Sequence, residues 1–142
     1  MYHFNEGSLD LPESWIDQTI NIVSSSGSLE PGLTITMTRD AIPWGMGFSE
    51  YVEDQIAQVT EALTDFTLLG RKPVTAGRSA AYEIECRWKA KSGPMHQIIT
   101  TVQLSDNRAL VLTASHPGEM TANQQTEVRR IISTLNLQQR RG

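Results

Sequence analysis

An α+β fold, an antiparallel sheet with flanking helices, is what this sequence predicts, and three observations carry the prediction. Several segments alternate apolar and polar residues with period two, as at Leu33, Ile35 and Met37 against three interleaved threonines. Parallel strands buried on both faces read instead as continuous apolar runs, so alternation points to antiparallel pairing. Two other segments switch to the 3.6-residue period of an amphipathic helix. Finally, 142 residues with no internal repeat and no linker fit a single domain, 1–142, with one core.

The elements follow in order. Leu9-Asp10-Leu11 alternates and stops at Pro12. Trp15 to Val23 is rich in β-branched residues and reads as extended, with Gln18, Ile20 and Ile22 on one face. Ser24–Gly27 and Pro31-Gly32 bracket a turn before the strand Leu33–Arg39. The loop Ala41–Gly47 holds Trp44 and Met46, an apolar pair that either plugs a core edge or meets a partner. Ser49 is placed to cap a helix from Glu50 to Leu63, whose core stripe is Val52, Ile56, Val59 and Leu63.

Phe66–Leu69 and Lys72–Thr75 read as extended. Ala80, Tyr82, Ile84, Cys86 and Trp88 then alternate with Ala81, Glu83, Glu85, Arg87 and Lys89, a strand with one buried and one wet face. Met95–Leu104 and Ala109–Ala114 form a hairpin about Asp106-Asn107, and Pro117-Gly118 ends it. Thr121–Leu135 places Val128, Ile131, Ile132 and Leu135 on one helical face, with Arg129-Arg130 on the wet side. The polar tail from Asn136 is expected to fray. The sum is about six strands and two main helices.

Composition excludes several functions. A net charge of −4 with scattered Lys and Arg offers no basic face for nucleic acid. The first ten residues lack the basic and apolar regions of a secretory signal, and no apolar run reaches the ~20 residues of a membrane helix. A cytoplasmic protein without direct membrane insertion is expected. Cys86 is the single cysteine, so no intrachain disulfide forms, and its register makes it a buried, inert thiol.

No catalytic constellation is visible. His3, His96 and His116 have no metal-ligand spacing, and the chain has no nucleophile elbow, phosphate-binding glycine loop or dinucleotide fingerprint. Glu83 and Glu85 share a strand face with Arg87 and Lys89 and read as its solvated side. The expectation is no catalytic residue, no metal, no cofactor and no enzyme. What remains is a surplus of Ile, Val, Thr and Gln in strand registers that cannot all enter one core. They are either second-face residues of a twisted sheet or the lining of a binding surface.

The run Leu9-Asp10-Leu11-Pro12-Glu13-Ser14-Trp15-Ile16-Asp17-Gln18-Thr19-Ile20-Asn21-Ile22 resembles the opening of the Eag proteins. These are effector-associated chaperones of type VI secretion within the DcrB-like superfamily. Thr38-Arg39-Asp40, Phe48, Tyr51-Val52, Gln55 and Trp88 agree further, so the resemblance spans nearly the whole chain. It implies a PsbP-like fold and a homodimer. It also implies a partner: the N-terminal region of a PAAR-containing type VI effector, with its pre-PAAR segment and transmembrane helices. The groove residues it implies are Ile20 and Ile22, then Gln55, Val59 and Leu63 on the first helix, then Thr101 with its neighbours Ile99 and Gln103. The family favours a small residue near Val59 and a Gln near Thr101, and Val59 and Leu63 read equally as core. Two alternatives stay open: another protein-binding module of this fold, or a small enzyme whose site is assembled in space.

Overall fold

A computed structural model describes residues 1–25 and 32–137. The turn expected between Ser24 and Gly32 lies largely outside that range, as does the tail beyond Leu137. The element order is β1 (Tyr2–Phe4), β2 (Gly7–Leu9), β3 (Asn21–Ser24), β4 (Thr34–Ala41), α1 (Phe48–Ala62), β5 (Thr67–Ala76), β6 (Ser79–Ala90), β7 (Gly93–Ser105), β8 (Arg108–Pro117) and α2 (Ala122–Ser133). β1 and β2 form a small hairpin. The other strands form one sheet in the order β3-β4-β8-β7-β6-β5, every pair antiparallel. The α+β antiparallel class and the two helices are as the periodicities predict.

Register decides what each helix covers. Ala81, Val102, Leu110, Ile98, Leu112, Ala114 and Ile35 stand in line across β6, β7, β8 and β4, and Val128 and Ile132 of α2 close over them. On the opposite face, Tyr51, Val52 and Ile56 of α1 pack on Ile84, Ala109, Tyr82 and Ile99. The sheet is therefore sandwiched between one helix per face, and its core lies on both sides.

Several boundaries differ from the sequence expectation for local reasons. α1 begins at Phe48 with Gly47 as its N-cap and no side-chain capping bond, because Phe48 is drawn into the cluster under the first turn. Ser49 is therefore inside the helix rather than its cap. α2 opens with a capping box, Gln124 N–H donating to Thr121 Oγ1 at 3.1 Å while Thr121 N–H donates to Gln124 Oε1 at 2.8 Å. Of the extended stretch expected from Trp15, only Asn21–Ser24 pairs into the sheet. The Asp17 carboxylate accepts from Thr19 N–H at 3.0 Å, a local bond that competes with strand geometry just before β3.

The β5–β6 turn shows why one glycine is required. Gly77 has φ +62°, and a Cβ there would overlap the Leu135 carbonyl oxygen after α2. Gly77→Ala is therefore expected to cost well over ~1 kcal/mol, since strain and overlap both act on it. A urea melt checks this. Gly45→Ala, also at positive φ but in open space, is expected to lose less.

Candidate functional site

The α1 face of the sheet is only half covered. α1 sits on β6, β7 and the start of β8, and the rest of the face is a floor built by β4, β8 and β3. Alternation puts Thr34, Thr36 and Thr38 of β4 beside Ser115, Thr113 and Val111 of β8, with Ile22 of β3 beyond Thr36. These β4 and β8 side chains are half-buried, and Ile22 is 65% exposed. Across β3, β4, β8 and β7 this face holds a single charged side chain, Asp40, which accepts from Tyr51 Oη–H at 2.5 Å. Burial, then the hydrogen bond to Asp40, pushes the Tyr51 phenol far above its usual range, so it stays a donor. The floor is otherwise Ile, Val, Ala, Met, Thr, Ser and Gln.

The residues named from the resemblance fall into three groups. Ile22, Ile99, Thr101 and Gln103 share this face by register, and Ile20, 58% exposed, leads into it just before β3. Gln55 and Val59 lie within the angular span of α1 set by Tyr51, Val52 and Ile56 at ~100° per residue, whereas Leu63, expected on the helix, is its extended C-cap. They nevertheless stay half-buried, so the sheet-facing side of α1 is not closed along its whole length. Thr101 is the exception in accessibility: it is 4% exposed and offers little free surface. A recess of about 730 Å³ at the β3 end is lined by Ile20 with Thr38, Asp40 and Arg108 among others.

Sequence reasoning missed the floor itself. Thr36, Thr38, Val111 and Thr113 are central to it, and the signal was the run of three threonines opposite Leu33, Ile35 and Met37. Gln97 also lies on this face, tied down between Trp88, which donates to it at 2.9 Å, and Ser115 Oγ at 3.0 Å. The Trp44/Met46 loop divides its roles. Met46 packs on the α1 cluster, while Trp44 is fully exposed.

The opposite face carries the charges. Glu83 was expected on a solvated surface; it is 7% exposed, held by Arg129 Nε and Nη2 at 3.1 and 3.2 Å. Arg129 was expected on the wet side of its helix but reaches back to bridge Glu83 and Glu85. Alternation tells which residues share a face, and a helix arriving more than thirty residues later decides whether that face is wet. His96 is wholly buried: its Nδ1 accepts Met120 N–H at 2.9 Å, which leaves Nε2–H to donate to Glu85 at 2.9 Å. These bonds dock α2 and use up the polar groups, leaving a structural role for all four residues. Cys86 is buried and its thiol is pushed up to about 11, by burial first and then by the neighbouring Glu85 charge.

This network makes the fold sensitive to acid. Burial works to raise the Glu85 carboxyl, but hydrogen bonds from His96 and Arg129 outweigh it and hold the carboxyl below its ordinary value. A carboxylate depressed in the folded state contributes stability that is fully present above its unfolded value near ~4.3. That stability is lost as pH falls through the folded value. The melting temperature is expected to drop as pH falls below the unfolded value, and Glu85→Gln to flatten that part of the profile.

Comparison with known proteins completes the picture. The DcrB family profile matches residues 6–134. A protein of Pseudomonas aeruginosa described as Effector EagT6 is 29% identical over 91 residues, which is 63% of this chain and 62% of that protein. The alignment thus spans less than two thirds of the relative's length. Among solved structures, a protein of unknown function from Pseudomonas aeruginosa, PA94, shares the fold at TM-score 0.80 and 20% identity, covering 98% of this chain and 96% of its own. Cyanobacterial PsbP from Synechocystis sp. PCC 6803 aligns at TM-score 0.47 and 8% identity over 88% of this chain and 93% of its own. With its family match running from the first hairpin to the end of α2, and an Eag-type relative beside it, the chain belongs to the DcrB family.

Proposed function

We propose that the chain is a cytoplasmic chaperone of type VI secretion that works without turnover. It binds and shields the hydrophobic N-terminal transmembrane helices and pre-PAAR segment of a PAAR-containing effector, keeping it soluble, and it acts as a homodimer. The observation that carries this reading is the half-open α1 face, where α1 leaves uncovered a floor of Ile, Val, Thr and Gln with Asp40 as its single charge. The relation to EagT6 supports an effector-associated role within the DcrB family.

The chemistry suits that partner. A membrane helix in water exposes far more apolar surface than a soluble chain tolerates, and aggregation follows. A groove between a helix and a sheet offers it a packing surface, as in other helix-in-groove complexes. Hydroxyl and amide side chains answer the polar groups such helices bury against one another. Thr36, Thr38 and Thr113 supply hydroxyls, and Gln55 and Gln103 amides, while Ile20, Ile22, Ile99, Val59 and Leu63 supply apolar contact. Thr101 lies on the same face but is buried and offers the partner little surface.

Co-expression with the effector's N-terminal region, followed by size-exclusion chromatography, tests the reading. The two chains are expected to elute together, and deleting the effector's apolar helices to separate them. Co-elution that survives the deletion would assign the chain to a different kind of protein-binding module.

A further inference from the structure

The charge on the open face is placed asymmetrically. Asp40 stands at the end of the row Thr34, Thr36, Thr38, Asp40 on β4. At the other end of that row Thr34 meets only hydroxyls, the Ser24 side chain at 3.2 Å and Ser115 across β8. The recess beside Asp40 has further charged residues in its lining, but they are engaged elsewhere or turned away. Asp17 accepts from Thr19 N–H at 3.0 Å and from Tyr2 Oη–H at 3.3 Å. The Arg39 guanidinium donates to the Asn21 side chain at 2.6 Å and to the Thr19 and Met37 carbonyls. Alternation puts Arg39 and Arg108 on the opposite face from Asp40.

The Asp40 carboxylate is held in place without being neutralised. One oxygen accepts Ala41 N–H at 2.9 Å and the other accepts Tyr51 Oη–H at 2.5 Å. Both donors are uncharged, and no ion pair reaches Asp40 among the described residues. A neutral acceptor would tie Tyr51 to β4 as well, so that bond does not require a charge. A carboxylate has about four acceptor sites, and water fills the remaining ones while Asp40 stays exposed. An apolar occupant of the groove would strip that water away. Unless it brought a cation of its own, the desolvated charge would oppose binding.

We propose that Asp40 selects the partner and sets its direction: the groove takes an apolar helix whose Lys- or Arg-bearing end lies over this carboxylate. The inference deepens the chaperone reading above and rests on it. Membrane helices are commonly flanked by basic residues on one side. The long stems of Lys and Arg lie along apolar surface while their charged tips reach a polar site. Ile20 and Thr38, which line the recess with Asp40, offer such a stem its contact. Tyr51 and Ala41 are positioning groups, fixing the carboxylate before the cation arrives.

Two synthetic apolar helices of about 20 residues test this, each with a fluorescent label and a neutral glycol tail at one end. One carries two lysines at its other end, and the second carries two glutamates there. By fluorescence anisotropy, wild type is expected to bind the lysine-ended helix roughly tenfold more tightly. Asp40→Asn, whose amide oxygen can still accept from Tyr51, is expected to stay folded and to bind the two alike. Asp54→Asn, exposed on α1 and bonded to Gln58, controls for net charge and is expected to keep the preference. A carbodiimide, which condenses a carboxylate and an amine into an amide with loss of water, gives a readout that needs no variant. It is expected to join the lysine-ended helix to Asp40 of the wild-type chain. Equal binding of both helices by wild type overturns the inference and leaves the groove standing. A preference that survives Asp40→Asn, or a cross-link found only at other carboxylates, does the same. Binding of neither helix overturns the groove reading, and the inference with it.

Discussion

Replacing Ile20 and Ile22 together with Asp is expected to leave the chain folded and to abolish effector binding. In the free chain these side chains are 58% and 65% exposed, and neither belongs to a core cluster, so charge there costs the fold little. In the complex each carboxylate would be desolvated against an apolar helix, an expensive transfer without a partner. Burying an isoleucine contributes ~1.5–3 kcal/mol, so losing two weakens binding by at least about two orders of magnitude before the charge penalty is added. A thermal melt and co-purification with the effector's N-terminal region must be read together. A folded variant that binds as wild type would remove these residues from the groove, and an unfolded variant would return them to the core.

The second large effect lies on the other face and concerns stability alone. Arg129→Ala is expected to destabilise the fold by ~1–3 kcal/mol, because it strands the buried Glu83 and leaves Glu85 with His96 alone, while the 35% exposure of Arg129 screens the pair in part. Lys72, 3.9 Å from Glu83 and well exposed, compensates only in part. Removing the partner along with the arginine should recover most of the loss, so Glu83→Met with Arg129→Met is expected to melt well above Arg129→Ala. Arg130→Ala, one residue on, breaks only an exposed pair with Glu127 and should leave the melt unchanged. Urea denaturation of the three variants beside wild type decides whether the charge is structural.

Periodicity made much of this architecture legible. The helical stripes through Val52-Ile56 and Val128-Ile132 each fixed an element and its inward side, and the β6 alternation fixed the strand though both of its faces are covered. Where reading failed, the deciding partner was remote. Glu83 and Glu85 read as wet because Arg129, which covers them, stands 46 and 44 residues away. Trp15–Ile20 read as strand from its composition, but β4 pairs β3 only from Thr34 to Met37, and Arg39 spends its guanidinium on the Thr19 carbonyl and the Asn21 side chain. The open face was legible in part: Ile22 and Ile99, named through the family resemblance, share it by register, while its threonine floor needed the β4–β8 pairing to become one surface.

The claim at the centre of this account is that the open face keeps an apolar partner in solution, and the partner's own solubility reports on it most directly. The effector's N-terminal region should be expressed alone, with the chain, and with the Ile20→Asp/Ile22→Asp variant, and its soluble fraction measured after ultracentrifugation. The account predicts a soluble effector region with the wild-type chain, and a pelleted one in the other two cases. An effector region that pellets equally in all three, beside a fully soluble wild-type chain, would contradict it.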